Sequence, residues 1–150
     1  MNKRIIGVEG IKLIQKFEGC KLKAYLCPAK VWTIGFGNTF LEDGTPVKKD
    51  DVIDQETANI LFLNIVKFFY VSVDKMVTSN VSQNQFDAMV SLSYNIGLGS
   101  FKKSSVLKKA NINPDDKTIE VSFNSWNKGG GKILKGLVNR RADEVKLYFK

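Results

Sequence analysis

The sequence predicts an α+β fold, helical at both ends, with its β structure confined to a small N-terminal lobe. Three observations carry this. Val8, Ile11, Ile14 and Phe17 recur every three residues, as on one helix face. The stretch Val31–Gly37 is β-branched and aromatic. From residue 54 to the end the apolar pattern returns to helical spacing. A single domain of 150 residues is expected. Its β lobe would occupy roughly 19–53, a connecting helix roughly 54–78, and a helical lobe roughly 79–150 with 1–18 packed near it. A larger helical lobe joined to a small β lobe by one long helix predicts a ligand cleft between them.

Each element follows in order. The first helix ends at Glu18, with Gly19 as its stop. In the β stretch, alternation puts Trp32, Ile34 and Phe36 on one face and Thr33 on the other. Asp43-Gly44 before Thr45-Pro46 is a turn signal. Ala58, Leu61, Phe62, Ile65, Phe69 and Val73 then fit a long amphipathic helix with Asp54 as N-cap. Ser82 with Gln85 is a capping box ahead of Phe86, Met89 and Val90, and Gly97 and Gly99 end that helix. Shorter helices are expected near 104–110 and 117–126, and Gly129–Gly131 reads as a loop. Val138, Ala142, Val145 and Phe149 define the apolar stripe of a last helix.

Composition narrows the chemistry. Hydrophobic residues make up 43% of the chain, too many for a disordered one. No run reaches the 18 or so uncharged apolar residues of a membrane span. Histidine is absent, which removes Ser–His–Asp triads and most zinc sites. Acid–base chemistry near neutral pH must then use carboxylates, thiols or lysines. No cofactor or metal is called for. Lys3 and Arg4 precede Ile5-Ile6, but Gly7, Glu9 and Lys12 break the apolar run, so no signal peptide is read. Two cysteines suit a reducing cytoplasm or a special role. The net charge of +8 is uneven: +4 over residues 1–50, −3 over 51–100 and +7 over 101–150. The basic segments favour anionic partners.

The informative stretch runs from Phe17-Glu18-Gly19-Cys20 to Thr39. Glu18 at a helix end, walled by Phe17, is a candidate general acid, because partial desolvation favours a protonated carboxyl. Cys27 lies nine residues on and Thr33 six beyond that, so the three can face one another across a cleft. Spacing alone favours a plainer reading: a surface Glu, a Cys filling core space and a strand Thr.

A resemblance changes that weighting. Phe17-Glu18-Gly19, Ala24-Tyr25, Cys27-Pro28-Ala29 and Val31 through Thr39 resemble the active-site segment of the phage-type lysozymes, or endolysins. The family pattern is Glu, eight residues, Asp or Cys, five residues, Thr; here it reads Glu18, Cys27, Thr33. The likeness continues through Gln85–Ala88, Tyr94–Gly97, Phe101, Ser104-Ser105, Trp126 and Gly136–Ala142. It implies a lysozyme-like fold and hydrolysis of the β-1,4 bond between N-acetylmuramic acid and N-acetylglucosamine in peptidoglycan. Glu18 would be the general acid, with Thr33 holding the attacking water.

Cys27 stands where many relatives have Asp. It would be a thiolate base tuned by nearby basic residues, a neutral group positioning water with Thr33, or a nucleophile giving the retained anomer. The first two are favoured because inversion is usual in the family. Position also matches Thr39, Tyr94 and Ser104 to the sugar cleft and Arg140 to an arginine beside the catalytic Glu. A solvated Arg140 and a core Tyr94 are the plain alternatives. Asn38 replaces a His of many relatives, so any ion pair of that His would be missing. Partners implied are peptidoglycan and a holin-like membrane permeabiliser. The protein would be a monomer without stable membrane insertion, held in the host cytoplasm until it acts on the wall.

Cys20 and Cys27, seven residues apart in what reads as one short loop, are a candidate redox pair whose disulfide would silence the site. Lys102-Lys103, Lys108-Lys109 and Arg140-Arg141 read as a solvated basic face rather than a nucleic-acid surface. Gly129–Gly131 with Lys132 lacks the spacing of a phosphate cradle. The rival readings are a lytic transglycosylase and a catalytically silent wall-binding domain.

Overall fold

The structure, a computed structural model, describes residues 3–150. In chain order it contains α1 (Val8–Glu18), β1 (Lys21–Leu26), β2 (Trp32–Gly35), α2 (Gln55–Met76), α3 (Gln83–Ile96), α4 (Leu98–Lys103), α5 (Ser105–Ile112), α6 (Ile119–Asn124), β3 (Lys128–Gly129), β4 (Lys132–Ile133) and α7 (Lys135–Tyr148). This is the expected α+β plan. The chain forms two compact units, Gln15–Phe68 and the remainder, and the divisions fall inside α1 and α2.

In the unit of residues 15–68, β1 and β2 form an antiparallel hairpin with Tyr25 opposite Thr33 and Leu26 opposite Trp32. One hairpin face carries Ala24, Trp32 and Ile34 into a core with Val47, Leu61, Leu41 and Ile53. The Phe36 and Phe62 rings meet with centroids 5.1 Å apart. Asp43 turns the chain as expected, its carboxylate accepting from the Thr45 N–H at 3.0 Å and hydroxyl at 2.6 Å. Asp54 caps α2 by accepting from the Thr57 N–H at 2.8 Å. By length and composition α2 is apolar enough to cross a membrane, which reading for uncharged runs misses. Within this unit its Ala58, Leu61, Phe62 and Val66 form a buried stripe while Ile60, Leu63 and Phe68 are exposed, the pattern of the expected amphipathic helix.

In the other unit, α3 is buried from Gln85 to Ser93, so it is enclosed rather than amphipathic. Its Ser82–Gln85 capping box forms as expected, with bonds of 3.1 and 2.9 Å. Asp87 reaches from α3 to cap α1, accepting from the backbone N–H groups of Gly7 at 2.9 Å and Gly10 at 3.2 Å. Gly10 allows that approach, since a Cβ built there would meet the Asp87 side chain and Ile6 at 2.8 Å.

Four expectations change. Gly99 does not end a helix; Gly97 does, at φ 87°, and Gly99 lies inside α4. Gly129–Gly131 is no plain loop, because Lys128–Gly129 pairs with Lys132–Ile133 around it. On α7, Ala142 and Val138 are exposed, and the buried face carries Arg140, Arg141, Glu144, Leu147 and Tyr148. Arg140-Arg141 is therefore not part of a solvated basic face. Hydrophobic periodicity fails there because the buried stripe is ionic.

That stripe is ion-paired. Arg141 meets Glu144 through Nε at 2.7 Å and Nη2 at 2.9 Å, and Arg140 Nε lies 3.3 Å from the same carboxylate. Ser91 Oγ donates to Glu144 at 2.8 Å, while Arg140 and Arg141 also donate to the carbonyls of Ser91 and Trp126. Burial pushes the Glu144 carboxyl up, and Arg141 and Arg140 pull it back.

Candidate active site

The candidate residues Glu18, Cys27, Thr33 and Thr39 all lie in the unit of residues 15–68; Tyr94, Ser104 and Arg140 lie in the other. Glu18 is the last residue of α1, where the helix dipole disfavours a carboxylate, so helix stability does not account for it. The chain leaves through Gly19 at φ 64°. The half-buried Glu18 carboxylate lies beside Gly37, since a Cβ built on Gly37 would meet Oε2 at 3.5 Å. Gly37 sits at φ 89° in the tight turn where Ile34 and Asn38 exchange backbone hydrogen bonds of 2.8 and 2.9 Å. A left-handed glycine is thus what brings this backbone up to Glu18.

Cys27 opens the connection between β1 and β2. Its N–H donates to the Val31 carbonyl at 3.0 Å, and the Lys30 N–H donates to the Cys27 carbonyl at 2.8 Å. Lys30 closes the turn in the left-handed region at φ 60°. Tyr25 and Thr33 are cross-strand partners, and Cys27 is two residues from Tyr25. Period-two alternation therefore puts Tyr25, Cys27 and Thr33 on the hairpin face opposite the core-facing Ala24, Trp32 and Ile34.

The Cys27 thiol is held below its ordinary pKa, chiefly by the Val31 backbone N–H, with the Ala29 N–H and the Thr33 hydroxyl adding to it and burial opposing. Backbone and hydroxyl donors do what basic residues were expected to do. Thr33 is buried, and its hydroxyl lies 3.0 Å from the Val31 carbonyl. The pKa of the Tyr25 phenol is raised by burial first, then by the charges of Cys27 and Glu18.

The redox pairing of Cys20 with Cys27 does not survive. Both are free thiols, and β1 occupies the residues between them. At about 3.3 Å per residue an extended strand separates their Cα atoms by roughly 20 Å, and a disulfide tolerates roughly 7 Å at most. Cys20 instead lies against the Gln55 side chain, Sγ to Nε2 3.7 Å. What reads as a loop is a strand.

The supporting residues divide. Ser104 is 3% exposed and serves α5 as N-cap, donating to the Phe101 carbonyl at 2.7 Å and accepting from the Leu107 N–H at 3.2 Å. Its expected contact with sugar is thereby withdrawn. Tyr94 is half-buried against Phe69, ring centroids 4.9 Å apart. Thr39 is half-buried, its carbonyl accepting from the Val47 N–H at 2.9 Å. Arg140 is 3% exposed, which excludes the solvated alternative. Asn38 is buried and donates to the Leu61 carbonyl at 3.3 Å, a tie to α2 in place of an imidazole's charge.

Tyr25 and the close approach of Gly37 have no role in the sequence reading. For Tyr25 the signal was its period-two spacing from Cys27. For Gly37 there was none, because the contact crosses from a turn to a helix end.

A model of the phage lysozyme family matches residues 15–144. The endolysin of Bacillus phage PZA is 42% identical over 147 residues, covering 95% of this chain and 54% of its own length. The chain thus spans about half the length of the first curated relatives it matches. The endolysin of Salmonella phage P22 is 32% identical over 144 residues, covering 96% of this chain and 97% of its own. Among solved structures, an endolysin from Escherichia coli O157:H7 phage FAHEc1 matches with a TM-score of 0.91 at 33% identity, over 99% of this chain and 96% of that one.

Proposed function

The chain belongs to the phage lysozyme family, and on that premise we propose that it is a muramidase that hydrolyses the β-1,4 bond from N-acetylmuramic acid to N-acetylglucosamine in peptidoglycan. Glu18 protonates the leaving glycosidic oxygen as the C1–O bond breaks. A water attacks C1 from the opposite face, and Cys27 takes its proton as the new C–O bond forms. Thr33 holds that water. The product at C1 is inverted.

One observation carries the choice among roles for Cys27. The Val31 and Ala29 N–H groups and the Thr33 hydroxyl favour its thiolate, which supports the base over the neutral positioner. Cys27 and Thr33 on the same hairpin face support hydrolysis over an anhydro-sugar product. In this reading Thr39 contacts sugar, and Arg140 holds Glu144 and the Ser91 carbonyl. The protein is a monomer, neither binds nucleic acid nor stably inserts in membranes, and stays in the host cytoplasm until a holin-like permeabiliser admits it to the wall.

The test is digestion of purified peptidoglycan by the reduced protein, with products followed by NMR. Release of reducing ends with the inverted anomer is expected. The retained anomer would make a protein group the nucleophile, and an anhydro product would make the protein a transglycosylase. Binding without release would leave only a wall-binding domain.

A further inference from the structure

The attacking water has too few donors among the residues so far assigned to it. A thiolate only accepts hydrogen bonds. The Thr33 hydroxyl has one proton, and that proton is committed either to the Val31 carbonyl at 3.0 Å or to the Cys27 sulfur. Toward water, then, Thr33 also only accepts. Cys27 and Thr33 together take up both protons of one water and leave both of its lone pairs unassigned. One lone pair must attack C1. The other needs a donor that fixes the water's rotation.

We infer that Tyr25 is that donor: its phenol O–H holds the water directed by Cys27 and Thr33, leaving one lone pair aimed at the sugar. This rests on the reading of Cys27 and Thr33 as the water-directing pair. Three observations carry it. Tyr25 is the cross-strand partner of Thr33 and lies two residues from Cys27, so the three share one face of the hairpin. The Lys21 ammonium stands over the Tyr25 ring, 5.0 Å from its centroid, and the ring is half-buried, so the phenol is held in place. Burial first, then the charges of Cys27 and Glu18, the two groups between which the reaction runs, push the phenol's pKa up. Those charges and its burial keep the phenol protonated, which a donor requires. Cys27 receives one proton from the water as before, and Tyr25 neither gains nor loses one.

The experiment compares the unaltered protein with Tyr25→Phe, which keeps the ring and its contact with Lys21. On purified peptidoglycan, kcat should fall about 10–100-fold, as for a misoriented reactant. KM should stay within about twofold, and melting temperature and the rate of Cys27 alkylation by iodoacetamide, read in a Cys20→Ser background, should not change. A kcat within about twofold of the unaltered protein overturns the inference. So does a fall in kcat accompanied by a lower melting temperature or altered Cys27 alkylation, which would make Tyr25 a structural residue. If the unaltered protein releases no reducing ends, the proposed function fails and the inference fails with it. Normal release with an unaffected Tyr25→Phe variant sinks the inference alone.

Discussion

Residues 15–68 carry seven basic and seven acidic side chains, while the rest of the chain carries sixteen and eight, so the whole net charge of +8 belongs to the second unit. Yet the basic unit is the one that buries ionised groups. Arg140, Arg141 and Glu144 are at most 3% exposed and are held by one another, by Ser91 and by backbone carbonyls. The neutral unit keeps Glu18 and Cys27 only partly covered, beside a glycine turn and two backbone N–H groups. The difference separates two uses of charge. Paired and enclosed, it specifies packing and must not change protonation. Half-covered and set among polar hydrogens, it can exchange a proton with substrate or water.

Substitutions can break that contrast. Glu18→Gln should abolish most turnover, at least about 10²–10⁴-fold, and leave melting unchanged; a large loss of stability would make Glu18 a structural group. Glu144→Gln should do the reverse, because two buried guanidiniums lose their counter-charge. Chemical denaturation should show a loss of about 3–5 kcal/mol. Asp87→Ala removes the acceptor for the Gly7 and Gly10 N–H groups. It should cost about 1–2 kcal/mol by the same measurement, with fraying of α1 visible in amide exchange.

Smaller effects sharpen the comparison. Native Cys27 binds its proton more weakly than an unfolded thiol does. Its contribution to folding is therefore complete above the unfolded pKa, about 8.5, and is lost as pH falls through the lower folded value. In the Cys20→Ser background, alkylation of Cys27 should reach half its maximal rate below about pH 8.5; a midpoint above that would remove the thiolate base. Lys30→Gly should leave turnover alone and raise stability by less than about 1 kcal/mol, since Lys30 holds φ 60° at some steric cost.

Legibility followed the range of the interactions. Asp54, the Ser82–Gln85 box and the Asp43-Gly44 turn act within three residues, and each appears as read. Ser104 starts a helical pattern in the sequence, and the resemblance places it at the sugar, whereas its hydroxyl serves the cap. An apolar stripe predicts the last helix, and that stripe is not what the helix buries. Glu144 pairs with Arg140 and Arg141 locally, at i+4 and i+3, but no local pattern separates a buried pair from a solvated one, because what covers it lies on α3 and beyond α6.

The sequence alone determined the α+β order, the two long helices and the succession of Glu18, Cys27 and Thr33, since these follow from local periodicity, capping chemistry and spacing. Only the tertiary structure decided that β1 keeps Cys20 from Cys27, that Arg140 and Arg141 are buried, and that Tyr25 shares a face with Cys27 and Thr33. Strand register and helix packing choose which face each side chain takes and which backbone N–H groups meet it. Those choices depend on residues far away in the chain, which no local pattern contains.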